Sequence, residues 1–88
     1  MQQQEFEIVN KLGLHARASA LFVKTASKFQ AEVKLARESV EVNGKSIMGI
    51  MMLAASKGTM VRLTIEGPDE DEAMQAIGAL IKDGFGEE

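Results

Sequence analysis

Residues 5–29, EFEIVNKLGLHARASALFVKTASKF, contain the change of periodicity that decides the fold. In the first part of this stretch apolar residues alternate with glutamates, and this period of two predicts a β-strand over residues 4–9. From Ala16 to Phe29 the apolar residues instead recur at helical spacing, while lysines and serines occupy other positions. The sequence therefore predicts a strand that leads, through a short loop containing His15, into an amphipathic helix.

The rest of the chain repeats these two patterns. Alternation and capping signals predict further strands at 32–35, 39–42 and 61–66, and helices over 47–56 and from residue 70 onward. The short connection between the second and third strands indicates a hairpin. The order βαββαβα predicts an α+β fold, an open-faced sandwich in which three helices cover one face of a four-stranded, mainly antiparallel sheet. Residues 1–88 are expected to form this single domain.

Capping residues predict where the second and third helices begin and end. Ser46 is a suitable N-cap for the second helix, and Gly58 suits the left-handed position after its last turn. In the third helix, Asp69 is expected to act as the N-cap, with Glu72 completing a capping box. Gly84 is expected to end that helix.

Composition and charge exclude several classes of function. The chain has no cysteine, which excludes disulfides, thiolate metal sites and thiol nucleophiles. A single histidine cannot complete a closed set of metal ligands, so neither a metal nor another cofactor is expected. The net charge of −3 argues against a nucleic-acid partner. No apolar run approaches the ~18 residues that a membrane span needs, and the first residues do not resemble a leader, so a cytoplasmic location is expected.

The only histidine, His15, stands immediately before the first predicted helix, and Arg17 follows it. Amide groups at the start of a helix lack partners within the helix and favour an anion. The guanidinium of Arg17 adds donors suited to a phosphate group, and a neutral imidazole nitrogen is a competent nucleophile. The pair can therefore carry a phosphoryl group on His15. Spacing alone also allows a simpler interpretation, in which His15 caps the helix and Arg17 is a solvated charge.

The segment VNGKSIMGIMML, residues 42–53, is the second candidate site. On a helix, Ile47 and Met51 share one face, whereas Met48 and Met52 lie on another, so the helix cannot bury all four. The sequence predicts an exposed apolar surface, and flexible methionine side chains suit a surface that several partners share.

Charged and modifiable groups are expected around that surface. If the ends of the first two helices adjoin, Lys24 and Lys28 on the first helix and Lys45 before the second form a basic rim, which favours an acidic protein partner. Phosphorylation of Ser46 would add about −1.5 to −2 charges beside the surface and would repel such a partner.

Two other classes of function each fit part of this sequence. A binding module could use the apolar surface without any chemistry, but the pairing of His15 with Arg17 would then have no role. A small hydrolase could use His15 as a base, but no acid is visibly placed to orient the imidazole, and Ser19 lies on the same helix.

Two stretches, NKLGLHARASALFVKTASKF and VNGKSIMGIMMLAASKGT, resemble the signature regions of the HPr family, the histidine-containing phosphocarriers of the bacterial phosphoenolpyruvate-dependent phosphotransferase system. The resemblance implies a sheet ordered first, fourth, second, third. It also implies that phosphorylated Enzyme I passes a phosphoryl group to Nδ1 of His15, with assistance from Arg17. His15 would then donate the group to an A-domain of a sugar permease or of a regulatory branch. Ser46 matches the serine that an ATP-dependent kinase, HPr kinase/phosphorylase, modifies in many members.

The resemblance further implies a carrier without turnover of its own, and a monomer is the default expectation. Its expected partner-binding residues are Ala20, Lys24, Lys45, Ile47, Met48, Met51 and Met52. Ala18 stands where many members have a proline, and both residues are acceptable near a helix start. Sugar uptake and regulation both stay open as downstream roles.

Overall fold

The computed structural model describes residues 1–87, and its sheet has four strands in the order β1-β4-β2-β3, with every neighbouring pair antiparallel. The elements in chain order are β1 (Gln2–Glu7), α1 (Ala16–Ala26), β2 (Glu32–Arg37), β3 (Val40–Asn43), α2 (Ile47–Met52), β4 (Met60–Glu66), α3 (Glu70–Lys82) and a 3-10 turn (Gly84–Gly86). The predicted α+β fold class and the strand order implied by the resemblance are both confirmed.

The alternation seen in the sequence places apolar residues on one face of the sheet. In the sheet register, Leu35 of β2 lies opposite Leu63 of β4, and Phe6 of β1 lies opposite Val61 of β4. These side chains are buried beneath the helices, whereas their sequence neighbours point to the uncovered polar face. The helices complete the core with Ala18, Phe22, Ala26, Ile50, Ala73, Ile77 and Ile81.

Several element boundaries differ from the predicted ones, and those of β1 and α1 show the physical reasons. β1 begins at Gln2 because it pairs with β4 as far as Ile65, although its first residues lack an apolar alternation. α1 ends at Ala26 instead of Phe29. The amide of Phe29 bonds to the carbonyl three residues before it, so the chain leaves the helix through a tighter turn.

The end predicted for α2 is wrong. The helix stops at Met52, and Ala54 adopts the left-handed conformation with φ 50°. Nη1 of Arg37 donates to the carbonyl oxygens of both Leu53 and Ala54 at 3.0 Å, which satisfies acceptors that the helix leaves unpaired. Gly58 is left-handed as well, with φ 92°, but it lies in the turn before β4.

The capping box predicted at the start of α3 is absent from the described residues 1–87. Asp69 is the N-cap residue, but its side chain makes no capping bond and instead accepts from the amides of Gln30 and Ala31 at 2.8 and 2.9 Å. These hydrogen bonds lower the pKa of the Asp69 carboxyl. Glu70, rather than Glu72, accepts from the amide three residues before it. Asp69 therefore joins α3 to the turn after α1.

Gly13 allows the loop before α1 to pass close to the segment after α2. Its φ is 66°, and a Cβ there would lie 2.4 Å from the carbonyl oxygen of Ala55 and 2.8 Å from Cα of Ser56. Gly13→Ala is expected to lower the free energy of unfolding by about 3 kcal/mol, since left-handed strain and backbone overlap add. Urea unfolding measures this loss.

Gly58→Ala is the matched control, because Gly58 also has positive φ, but a Cβ added to it would meet no other part of the protein within 4 Å. Only the strain should then contribute, about 1 kcal/mol. Equal losses in the two variants would contradict the close approach at Gly13.

Candidate functional site

His15 is the N-cap residue of α1, with extended backbone angles φ −74° and ψ 179°. Its carbonyl accepts the first helical hydrogen bond, from the amide of Ser19 at 2.9 Å. The preceding residue, Leu14, is buried and donates its amide to the carbonyl of Ala55 at 2.9 Å. A fixed backbone thus presents the imidazole at the start of a helix whose first turn contains no acidic residue.

The two ring nitrogens of His15 have different neighbours. Nδ1 accepts a hydrogen bond from the amide of Arg17 at 3.3 Å, so its lone pair points toward the start of the helix. Nε2 lies against the carboxylate oxygen Oε2 of Glu87. Because Nδ1 accepts, the neutral ring carries its proton on Nε2 and donates it to Glu87. The side chain of His15 is 28% exposed, which leaves the ring accessible to a partner.

Glu87 is held from its other side by Asn10. Oε1 of Glu87 accepts from Nδ2 of Asn10 at 3.0 Å, and the same amide group donates to the carbonyl of Gly13 at 2.8 Å. The pKa of the Glu87 carboxyl is lowered, mainly by the hydrogen bond from Asn10. The contact with His15 and the charge of Arg17 lower this pKa further, whereas burial raises it.

Glu87 is a site residue that the sequence pattern does not predict, and the expectation that no acid orients the imidazole is wrong. His15 and Glu87 are 72 positions apart. No spacing rule connects them, and the acidic end of the chain looks like a solvated segment.

Arg17 lies on the first turn of α1, and its side chain is exposed. Within residues 1–87 it forms no ion pair, although its charge acts on Glu87. The guanidinium is therefore free to meet an anion that approaches the start of the helix.

Comparisons with known proteins identify the family of this chain. A family model described as "PTS HPr component phosphorylation site" matches residues 2–83. The chain belongs to the HPr family. A curated relative from Neisseria meningitidis, phosphocarrier protein HPr, is 58% identical over 87 residues, which are 99% of this chain and 98% of the relative.

Solved HPr structures have the same fold. The crystal structure of HPr-C-His from Thermoanaerobacter tengcongensis is 52% identical, covers 100% of this chain and 99% of its own, and superposes with a TM-score of 0.96. The HPr of Bacillus anthracis is 42% identical, with coverage of 91% and 95% and a TM-score of 0.87. HPr proteins are phosphocarriers of the phosphotransferase system, so a phosphoryl-carrier role follows for this chain.

In this HPr chain, α2 exposes a methionine patch, defined as Ile47, Met48, Met51 and Met52. Their exposed fractions are 42, 76, 41 and 74%, whereas Ile50 of the same helix is fully buried. α1 packs against α2 and carries the exposed residues Ala20 and Lys24. The patch is therefore an apolar surface that the other residues of 1–87 leave at least partly exposed.

Lys45 connects the start of α2 to the end of α1, and Ser46 caps α2. Nζ of Lys45 donates to the carbonyl of Phe29 at 2.8 Å, just beyond the end of α1, so the two helix ends adjoin. Oγ of Ser46 accepts from the amide of Gly49 at 3.1 Å and caps α2, as the sequence predicts.

Two further properties apply to the described part of this HPr chain. None of its helices is long and apolar enough to cross a membrane. Residues 1–87 also bring together no group of three or more histidine and acidic side chains suited to a metal ion.

Proposed function

We propose that this protein accepts a phosphoryl group from phosphorylated Enzyme I on Nδ1 of His15, and donates it to an A-domain of a sugar permease or of a regulatory branch. The observation that carries the proposal is the accessible ring of His15, whose Nδ1 presents a lone pair at the start of α1. In the accepting step, the hydrogen bond from the amide of Arg17 to Nδ1 is released, and the lone pair forms the bond to phosphorus while the bond between phosphorus and Enzyme I breaks.

Arg17 supports transfer by stabilising charge on the phosphoryl oxygens. Its guanidinium is exposed and free of ion pairs in residues 1–87, and its amide already points at Nδ1 of His15. The positive end of α1 favours the same anion. The bound group is thereby stabilised at the surface, where two partners can reach it in turn.

We further propose that Enzyme I and the A-domains dock on the methionine patch. Ala20 and Lys24 on α1 and Lys45 before α2 would supply the adjoining small and basic positions, which favours an acidic partner. A patch of this size suits a transient complex, and a carrier must release each partner after transfer.

The same proposal describes a carrier without turnover of its own. Residues 1–88 would act as one domain and as a monomer in the cytoplasm, and no cofactor would take part. This is supported by the position of His15 on an open surface, because an enzyme that acts on a small molecule generally needs a concave site.

The test is incubation of the protein with Enzyme I and phosphoenolpyruvate, followed by intact-mass measurement. One acid-labile phosphoryl group should appear, and it should disappear when an A-domain is added. A binding module without chemistry would form a complex but gain no mass, and that result would reject the proposal.

Ser46→Asp is expected to slow acceptance at His15 roughly fivefold to tenfold, because it adds a negative charge beside the methionine patch. The rate of phosphorylation by Enzyme I measures the effect. The fold should persist, since aspartate is also a good N-cap.

Gln75→Glu is the control for Ser46→Asp, since it adds one negative charge at an exposed position of α3. Acceptance should be unchanged in this variant. Similar slowing in both variants would indicate an effect of net charge and would remove the regulatory role proposed for Ser46 and for HPr kinase/phosphorylase.

A further inference from the structure

A relay of three side chains extends from the loop after β1, through the end of the chain, to the imidazole. Asn10 donates to one carboxylate oxygen of Glu87 at 3.0 Å, and the other oxygen lies against Nε2 of His15. Asn10 is only 2% exposed, and the side chain of Glu87 is 16% exposed, so the relay is largely shielded from solvent. Hydrogen bonds to a carboxylate are strong in such a setting.

The backbone after α3 is shaped to deliver Glu87 to this position. Gly84, Phe85 and Gly86 have consecutive positive φ angles of 65°, 58° and 74°. Phe85 is a bulky residue for which this conformation is unusual, yet its side chain is 3% exposed and packs in the core. A strained, anchored turn therefore fixes the approach of the carboxylate to His15.

We propose that Glu87 is a positioning residue for phosphoryl transfer: its carboxylate acts together with the amide of Arg17, which donates to Nδ1, to hold the proton of His15 on Nε2 and to keep Nδ1 as the nucleophile. This inference rests on the proposed function. A carboxylate that orients an imidazole through its second nitrogen fixes the tautomer and stabilises the cationic ring, as in catalytic triads.

The proton and charge balance of the step agree with this role. When Nδ1 forms its bond to phosphorus, the electron pair of the breaking bond leaves with the donor, and the ring becomes cationic because Nε2 keeps its proton. The carboxylate of Glu87 faces that proton from the side of the ring opposite to phosphorus. In the donating step Nδ1 takes back the electron pair, and the ring returns to the neutral form that Glu87 already holds.

Besides Asn10, the side chains that act on the Glu87 carboxylate are His15 and Arg17, and both belong to the start of α1. Glu87 thus lies near His15, which carries the phosphoryl group in the proposed function, and near Arg17, which stabilises it. Asn10 is a neutral side chain that donates a hydrogen bond to Glu87. Glu87 is not one of the residues of the methionine patch, so Glu87→Gln is expected to alter the rate of transfer more than it alters docking.

The experiment compares the full-length protein with Glu87→Gln in single-turnover phosphorylation by Enzyme I and phosphoenolpyruvate. The maximal rate is expected to fall roughly tenfold, the loss typical when a group that orients a functional imidazole is replaced, whereas the half-saturating concentration should not change. Nitrogen NMR of the ring should show the Nε2–H tautomer in the unchanged protein and a mixture of tautomers in the variant. Glu72→Gln is the control, since Glu72 is an exposed carboxylate of α3, and it should leave both readouts unchanged.

The outcomes separate the two proposals. Failure of the unchanged protein to gain a phosphoryl group would reject the proposed function itself. Normal phosphorylation together with an unaltered rate and tautomer in Glu87→Gln would overturn only the role of Glu87. A variant that loses thermal stability but keeps the rate and tautomer would assign Glu87 a purely structural role, which also overturns the inference.

Discussion

His15→Ala is expected to abolish acceptance of a phosphoryl group from Enzyme I and phosphoenolpyruvate. The reason is chemical, since His15 is the only histidine in the chain and no cysteine is present to act as a substitute nucleophile. Intact-mass measurement after incubation checks the result. Formation of the same acid-labile adduct on the variant would contradict the assignment of His15.

His15→Asn is the control that separates the loss of the nucleophile from a loss of folding. His15 is the N-cap of α1, and replacing a capping residue with alanine costs about 1 kcal/mol. Asparagine is among the best capping residues but has no nucleophilic ring. His15→Asn should therefore retain the helical circular dichroism and the unfolding midpoint of the unchanged protein, and should still gain no phosphoryl group.

The double variant Met48→Gln and Met52→Gln is expected to slow phosphoryl transfer in both directions. These two side chains are 76% and 74% exposed, and a partner docked on the methionine patch would bury them. Replacing two apolar contacts with polar ones of similar size should cost about 2 kcal/mol of complex stability, roughly a thirtyfold drop in kcat/KM. Measurement at several concentrations should show that the loss lies mainly in KM.

Met60→Gln is the matched control for the methionine patch. Met60 is also an exposed methionine, at 51%, but it begins β4 and shares the uncovered face of the sheet with Arg62. Its variant should transfer at the normal rate. Equal slowing by Met60→Gln, or no slowing by the double variant, would move the docking surface away from α2.

The elements that the sequence predicts well are those decided by local periodicity. Apolar and polar residues alternate over most of β2, β3 and β4, and the first helix begins where its N-cap was expected, because the residues that decide these features are neighbours in the chain. The end of α2 was not predictable in this way. The end of α2 depends on Arg37, which is the last residue of β2. The Arg37 side chain reaches the carbonyls of Leu53 and Ala54 only in the folded protein.

The residues of the candidate site also differ in how far they could be predicted, depending on whether they are neighbours in the sequence. His15 and Arg17 could be found from the sequence because they lie within one helix turn of each other, and the physics of a helix start applies to that short segment. Glu87 could not be found, because its contact with His15 depends on the turn at Phe85 and on the placement of Asn10. Long-range contacts that involve exposed-looking charges leave no periodic signal in a single sequence.

The central position of β4 also has a kinetic consequence. β2 and β3 are joined by a tight turn and can pair early in folding. β1 pairs only with β4, which is distant in the chain, as the pairing of Phe6 with Val61 illustrates. Pairing between such distant segments slows folding and makes it more cooperative. A nascent chain would keep β1 unpaired until β4 had left the ribosome, and through that interval the first strand would be open to misassociation.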